Sequence, residues 1–229
     1  MEEVAGAVSA SQEGVALFQK GDWNNALQSF LKVRTEDNNE LLELAYYTGL
    51  CYAKLKHFTE AQPYLVKYIN EAQNSVRAYQ CRMTLAYTYI MTKKARKAEQ
   101  ELASLINNGF ASAQLYVTMA YAAWTRQSYG DAIEWYERAL SADGDNLTAL
   151  NGLGFILADT GKDVKRGLRF CKRAVEKKPE NPVYLDSLGW AYYKDGKRIE
   201  AIKFLLKARD KDPDNPLIRE HLKMVETAK

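Results

Sequence analysis

The chain has 229 residues and a formal net charge of +3 at pH 7, and 47% of its residues are hydrophobic and 27% charged. This composition is typical of a folded globular chain and excludes an intrinsically disordered one. No run approaches the ~18 consecutive apolar residues of a membrane-spanning helix, so the sequence predicts no membrane span.

The chain begins with MEEVAGAVSASQEG, which is acidic and lacks the basic start and apolar core of a secretion signal. The sequence as it stands therefore predicts a cytoplasmic protein. A periplasmic or membrane-anchored protein without its signal or lipid anchor would read the same way. Residues 1–6 are expected to be frayed, as chain ends usually are.

From residue 13 onward the chain repeats itself. The six copies are EGVALFQKGDWNNALQSFLKV (13–33), TGLCYAKLKHFTEAQPYLVKY (48–68), LAYTYIMTKKARKAEQELASL (85–105), MAYAAWTRQSYGDAIEWYERA (119–139), LGFILADTGKDVKRGLRFCKRA (153–174) and LGWAYYKDGKRIEAIKFLLKA (188–208). Two positions hold a small residue in every copy. The first position is Gly14, Gly49, Ala86, Ala120, Gly154 and Gly189, and the second is Ala26, Ala61, Ala98, Ala132, Gly167 and Ala201.

The spacing and the small residues together predict pairs of helices. Successive copies are 35, 37, 34, 34 and 35 residues apart, enough for two helices of about 12–14 residues and their turns. A mid-helix glycine such as Gly189 lets two helices cross closely, because the side chains between two axes set their distance. Bulky residues recur on the same face at i, i+3 and i+7, as in Leu185, Leu188 and Tyr192.

This repeat resembles the tetratricopeptide repeat (TPR), a helix–turn–helix unit of about 34 residues. The sixth copy carries nearly all of the family's pattern in Leu188, Gly189, Tyr192, Ala201, Leu205, Ala208 and Pro213, and the fifth carries much of it in Leu153, Gly154, Gly167, Ala174 and Pro179. The first four copies depart from it more, and the third lacks a glycine at its turn. The resemblance implies an all-α, right-handed α-solenoid of antiparallel helix hairpins, the TPR superhelix.

The predicted repeat domain covers residues 7–215. Its six repeats are 7–41, 42–78, 79–112, 113–146, 147–181 and 182–215. Residues 216–229 follow, with Leu217, Ile218, Leu222 and Val225 on one face. They predict a C-terminal capping helix that covers the apolar side of the last repeat, as solenoids require.

The sequence shows no pattern for catalysis, and we expect no enzyme activity, no cofactor and no metal site. His57 and His221 are the only histidines, and no acid or nucleophile is spaced to pair with either. The three cysteines are widely spaced and odd in number, which fits neither zinc nor a disulfide framework. The stretch GLGF at 152–155 lies within a predicted helix, so it is not a nucleotide-binding loop.

A second apolar stripe follows the first helices of the repeats. It occupies positions five, nine and twelve, about 140° around the helix from the packing stripe. In proteins that resemble the TPR family these positions line a concave groove. The candidate groove residues here are Tyr46, Leu50, Met83, Tyr87, Ile90, Val117, Tyr121, Trp124, Asn151, Phe155, Asp186, Trp190 and Tyr193.

Two interpretations of this stripe are open. In the first, the rings fill the inner side of a tight superhelix and pack against the neighbouring repeat. In the second, they bind an apolar or aromatic partner segment, extended or helical, because aromatic anchors dominate binding at exposed apolar patches. Asn151 and Asp186 would then hydrogen-bond the segment's backbone and fix its direction.

One branch of the TPR family holds the C-terminal carboxylates of chaperones with Lys and Asn side chains. The corresponding positions here are Ser11, Val15, Tyr47, Gln80 and Thr84. We therefore expect no chaperone carboxylate clamp.

A basic stripe follows the second helix of the fifth repeat. Its residues are Lys165, Arg166, Arg169, Lys172, Arg173 and Lys177. Most such stripes are simply solvated, and the alternative is recognition of an acidic protein, an anionic membrane surface or nucleic acid. Nucleic acid is the least favoured of these partners, because base-stacking aromatics are not interleaved with the charges.

The sequence thus predicts a non-enzymatic protein–protein interaction adaptor or scaffold that binds a protein or peptide partner in its groove. The alternatives are a homo-oligomer assembled through exposed rings, and recognition of an anionic surface by the basic helix over 165–178.

Overall fold

A computed structural model of the chain describes residues 2–72 and 75–227, with side chains from Ser11 onward. Within these ranges the chain forms thirteen α-helices and no β-strand, so the predicted all-α class is confirmed. The helices are α1 (Glu2–Gln19), α2 (Trp23–Lys32), α3 (Asn38–Lys54), α4 (Phe58–Glu71), α5 (Val76–Met91), α6 (Ala95–Asn107), α7 (Ala113–Thr125), α8 (Tyr129–Ala142), α9 (Leu147–Asp159), α10 (Val164–Lys177), α11 (Pro182–Lys194), α12 (Arg198–Lys211) and α13 (Pro216–Thr227).

Short polar residues fix where many of these helices begin. Each accepts a hydrogen bond from a backbone N–H of the first turn, which would otherwise lack a partner. These capping residues are Asp22, Asp37, Ser75, Ser112, Asn146, Asp163, Asn181 and Asn215. Pro182 and Pro216 occupy the first helical position, where a missing N–H costs nothing.

The two helices of each hairpin are joined through one residue in the left-handed backbone conformation. That residue is Gly21, Lys56, Lys93, Gln127, Gly161 or Gly196, with φ between 60° and 80°. The third copy, in which the sequence offers no turn glycine, makes the same turn with Lys93. A non-glycine residue adopts this conformation at a cost of roughly 1 kcal/mol, which the surrounding packing overcomes.

The small residues lie where the helices of a hairpin cross. A Cβ added to Gly189 would lie 2.7 Å from Cγ of Leu205, and one added to Gly154 would lie 2.6 Å from Sγ of Cys171. Both distances are shorter than real contacts allow. The glycines in the middle of these helices are therefore explained by close helix packing, as the sequence predicts.

The chain divides into two compact units, residues 1–110 and 111–229. Unit 1 contains α1 to α6 and unit 2 contains α7 to α13. In each unit the helices of a hairpin pack on each other, the second helix packs on the first helix of the next hairpin, and successive first helices touch. Leu65 and Leu85 lie in the core of unit 1, and Leu153 and Leu205 in the core of unit 2.

The division into repeats at 42, 79, 113, 147, 182 and 216 stays a prediction. Helices α7, α9, α11 and α13 begin at its last four boundaries, whereas α3 and α5 begin earlier, at Asn38 and Val76. Fraying of residues 1–6 stays a prediction, and helix α1 begins at Glu2. Met1 and the last two residues of the predicted capping segment, 228–229, lie outside the described residues.

Helix α13 covers the end of unit 2. Ile218, Leu222 and Val225 are buried against residues of α11 and α12, as the sequence predicts for a capping helix. Leu217, placed on the same face by the sequence, is instead 45% exposed. His221 takes the buried position, because residues 218, 221, 222 and 225 form the stripe that the helical period requires. Arg198 donates to the Val225 carbonyl at 3.0 Å and so ties down the C-terminal end of α13.

Candidate functional site

The thirteen candidate groove residues separate into a buried set and an accessible set. Tyr46, Leu50, Ile90, Val117, Asn151, Asp186 and Trp190 are buried. Met83, Tyr87, Tyr121, Trp124, Phe155 and Tyr193 are partly or largely exposed. Packing against neighbouring helices therefore describes the apolar residues of the first set. Binding of a partner is a prediction that concerns the second set and the two polar residues, Asn151 and Asp186.

In unit 2, five of these residues meet around one cleft of about 170 Å³. Tyr121 and Trp124 come from α7, Asn151 and Phe155 from α9, and Asp186 from α11. We call this site the aromatic cleft. The rings of Tyr121 and Trp124 are stacked with centroids 5.7 Å apart, and Phe155 meets Trp124 edge-on at 6.4 Å.

Residues outside the predicted stripe complete the aromatic cleft. They are Tyr136, Gly152, Ile156, Val183, Ser187 and Leu217. Tyr136 on α8 reaches the cleft because Gly152 has no side chain; a Cβ there would lie 2.3 Å from Cζ of the Tyr136 ring. Burial raises the pKa of Tyr136, so its phenol stays neutral at physiological pH.

Oδ1 of Asn151 is a buried polar atom of the cleft without a partner among the described residues. Its side chain is buried, with the residue 8% exposed, and Oδ1 accepts no hydrogen bond from any residue in the described part of the chain. A buried polar atom without a partner costs about 1–3 kcal/mol. A rotation of the amide that turns Oδ1 toward the cleft would let a ligand supply the missing hydrogen bond.

Asp186 has a partner, which the sequence analysis missed. Nδ1 of His221 lies 2.9 and 3.0 Å from the two carboxylate oxygens of Asp186, and both residues are buried. The imidazole also stacks on Trp190 at 4.2 Å, and the indole N–H of Trp190 donates to Asp159 at 2.9 Å. The expectation that no acid pairs with His221 is therefore wrong. The two residues are 35 positions apart, so only the stacking of α13 on α11 reveals the contact.

The predicted residues of unit 1 pack largely within that unit. The hydroxyl of Tyr46 donates to Oε1 of Gln80 at 2.7 Å, and the guanidinium of Arg77 lies 4.8 Å from the centre of the Tyr46 ring. Burial raises the pKa of Tyr46 to about 12, against the opposing charge of Arg77. Tyr87 is 44% exposed and meets Phe58 edge-on at 5.7 Å. These contacts describe an occupied packing surface around Tyr46.

The basic stripe lies on α10, and neighbouring acids neutralise part of it. Arg166 donates to Glu137 on α8 at 2.8 Å, and Arg173 donates to Asp145 at 3.2 Å. Lys165, Arg169, Lys172 and Lys177 are exposed. Exposed pairs of this kind contribute at most about 1 kcal/mol each. Recognition of an anionic surface by this stripe stays a prediction.

The described residues hold no group of three or more His, Cys, Asp or Glu side chains that could bind a metal ion. Cys51, Cys81 and Cys171 are buried, and burial raises the pKa of each thiol to about 12. They therefore stay protonated and unreactive at physiological pH. Among the described helices none is both long and apolar enough to cross a membrane.

Comparison with known proteins agrees with the repeat geometry. The tetratricopeptide repeat family profile matches residues 117–182, which run from α7 to the start of α11. The crystal structure of a tetratricopeptide repeat protein from Parabacteroides merdae is similar with a TM-score of 0.72, over 96% of this chain and 84% of that chain, at 14% identity. Residues 117–182 thus match the tetratricopeptide repeat, and the chain as a whole has the fold of tetratricopeptide repeat proteins.

Other TPR proteins are similar over parts of their length. A TPR repeat-containing protein of Pseudomonas aeruginosa is 34% identical over 76 residues, which are 33% of this chain and 13% of that protein. A probable UDP-N-acetylglucosamine–peptide N-acetylglucosaminyltransferase of Hordeum vulgare is 32% identical over 103 residues, 45% of this chain and 11% of that protein. The chain thus spans only about a tenth of the length of these curated relatives.

The structure of YrrB, described as a TPR protein with an unusual peptide-binding site, is similar with a TM-score of 0.57 at 17% identity. The similarity covers 82% of the chain described here and 93% of the YrrB chain. At this identity the comparison supports the fold alone.

Proposed function

We propose that this TPR protein is a non-enzymatic adaptor that holds an apolar or aromatic segment of a protein partner in the aromatic cleft. The observation that carries the proposal is the meeting of Tyr121, Trp124 and Phe155 around one accessible cleft. Aromatic side chains of this kind dominate the binding energy of an interface once a partner covers them. The peptide-binding site named for YrrB, which has a similar fold, is a further reason to expect a peptide ligand.

Two polar residues of the cleft, Asn151 and Asp186, have different roles in the proposed complex. The amide of Asn151 is unpaired and would hydrogen-bond the ligand. Asp186 already accepts from His221 through both oxygens, so its role is to hold α13 at the rim, where Leu217 extends the apolar wall. This revises the predicted role of Asp186, whereas Asn151 stays a predicted hydrogen-bond partner of the segment.

Peptide display tests the proposal without a known partner. A random peptide library selected on the wild-type protein should yield apolar and aromatic sequences. The selected peptide should bind Trp124→Ala at least about ten-fold more weakly, since a hot-spot ring contributes about 2 kcal/mol or more. Trp135→Ala is the matched control: Trp135 is also a partly buried tryptophan of unit 2, but it stacks on Tyr116 away from the cleft.

Two results would contradict the adaptor proposal. One is selection of hydrophilic peptides, and the other is equal binding of the selected peptide to the wild type and Trp124→Ala. Self-association through the exposed rings is tested by sedimentation across a concentration range. A dimer that Trp124→Ala dissociates would assign the cleft to a second copy of the chain.

A further inference from the structure

We propose that the aromatic cleft selects a tyrosine side chain of the partner segment, with the ring against Trp124 and Phe155 and the hydroxyl hydrogen-bonded to Asn151. This inference rests on the proposed function and names the residue that anchors the partner. Three features of the cleft support it: its size, the chemistry of its walls and the unpaired amide.

The size of the cleft fits one aromatic ring. Its volume is about 170 Å³. An apolar cavity of about 150 Å³ in another protein binds a single benzene molecule. One six-membered ring with a small substituent therefore fits, whereas two side chains would not enter together.

The walls favour a ring over an aliphatic chain. Trp124 and Phe155 meet edge-on at 6.4 Å, and Tyr121 stacks on Trp124 at 5.7 Å. Aromatic pairs gain about 0.5–1.5 kcal/mol beyond the burial of their area when they pack edge-to-face or offset. A ligand ring placed beside Phe155 would extend this existing arrangement.

The unpaired amide selects among rings. Oδ1 of Asn151 is enclosed and, within the described part of the chain, unpaired. Rotation of the amide by half a turn would exchange its oxygen and its NH₂ group, so that either an acceptor or a donor can face the cleft. A phenol hydroxyl both donates and accepts, and it matches either orientation. A phenylalanine or leucine would leave the amide unpaired, and a site built to bind a hydroxyl rejects the analogue that lacks it.

The carboxylate of Asp186 disfavours a negatively charged group on the tyrosine side chain. It lines the same cleft and is fixed there by His221. A phosphate on the tyrosine would bring a second negative charge beside it, which like-charge repulsion disfavours. Phosphorylation of the tyrosine should therefore prevent binding.

Protein-detected NMR with N-acetyl-tyrosinamide, N-acetyl-phenylalaninamide and the phosphorylated tyrosinamide tests the proposal. The tyrosinamide should bind about ten-fold more tightly than the phenylalaninamide, and the phosphorylated form should not bind. Asn151→Leu should abolish the preference and leave binding of the phenylalaninamide at least as tight. Asn107→Leu, the same change on an exposed residue of α6, is the control and should keep the preference.

Equal binding of the tyrosinamide and phenylalaninamide to the wild type overturns the inference and leaves the proposed function standing. Absence of binding by either compound also overturns it, and the Trp124→Ala comparison then decides the proposed function separately. A dimer dissociated by Trp124→Ala would identify a second copy as the occupant, which overturns the inference as well.

Discussion

Two equivalent helix contacts of unit 2, α9 with α11 and α11 with α13, differ in how their polar residues are paired. Asn151 is the fifth residue of α9 and Asp186 the fifth residue of α11. Beside α9, the sixth residue of α11 is the short Ser187, and Oδ1 of Asn151 stays unpaired by any described residue. Beside α11, the sixth residue of the next helix is His221, which fills the space and pairs with Asp186. The residue at this sixth position, Ser187 or His221, thus distinguishes the open cleft from the closed contact.

The largest effect is expected from opening the closed contact. His221→Ser removes the imidazole from Trp190 and leaves the carboxylate of Asp186 buried without its partner. Breaking a buried pair in this way should lower the free energy of unfolding by about 3 kcal/mol. Urea denaturation followed by circular dichroism measures it. Asn151→Leu, which breaks no bond with a described residue, should change stability by less than about 1 kcal/mol. Equal losses in the two variants would contradict the comparison.

The reverse change should close the open contact. Ser187→His places an imidazole in the aromatic cleft at the position that His221 occupies one repeat later. The ring would fill the space of the ligand, so binding of a cleft-selected peptide should fall at least about ten-fold, or roughly 1.4 kcal/mol. Ser187→Ala keeps the cleft empty and serves as control. Fluorescence anisotropy of the labelled peptide measures both, and undiminished binding to Ser187→His would argue against this assignment.

Alkaline pH probes the core beneath α11, the helix that both contacts share. Cys171 packs there with Leu188 and Ala191, and burial raises the pKa of its thiol from 9.0 to about 12, with the charge of Asp186 adding to the effect. Between these values the unfolded chain loses the proton and the folded chain keeps it. Stability is therefore full below pH 9 and falls as the pH rises toward 12.

Urea midpoints between pH 8 and pH 11 measure this fall. Cys171→Ala should show a shallower pH dependence than the wild type, because one retained proton is removed from the folded state. Cys51, Cys81 and the buried phenols keep the remainder of the effect. Burial raises the pKa of both thiols and of Tyr46 to about 12, and it also raises the pKa of Tyr136. A wild-type stability that does not change over this range would show that the thiols ionise in the folded chain.

The smallest effect on stability is expected from substitutions in the hairpin turns, which belong to neither contact. Gln127 has a φ of 63° in the turn between α7 and α8, where glycine has no strain. Gln127→Gly should raise the free energy of unfolding by about 0.5 kcal/mol, because relief of strain exceeds the entropy that glycine adds to the unfolded chain. Gly161 has a φ of 70°, and a Cβ added there would meet no atom of another residue beyond its chain neighbours within 4 Å. Gly161→Ala should therefore lower the free energy of unfolding by about 1 kcal/mol through backbone strain alone. Thermal unfolding tests both signs, and peptide binding should be unchanged in each.

Sequence reasoning predicts the repeat well because the repeat depends on local spacing. Small residues such as Gly189 indicate where two helices cross, and Asn181 with Pro182 indicates where a helix begins. Both signals are visible in the sequence. The turn at Lys93 was hidden, since packing rather than a glycine imposes its conformation.

The site was only partly predictable. The positions of Trp124, Asn151 and Phe155 follow from the repeat register, and the structure brings them together. Their accessibility does not follow from it, because it depends on the size of side chains one repeat away. His221 was predicted to have no acidic partner. Ile218, Leu222 and Val225 lie around it at helical spacing and could have indicated a buried histidine.

The side-chain amide signal of Asn151 offers the most direct measurement of the central claim. It can be assigned by its loss in Asn151→Leu and followed by NMR while a peptide selected on the wild type is added. We predict that this signal shifts and saturates together with the indole N–H signal of Trp124. A peptide that binds and leaves both signals unmoved would contradict the account.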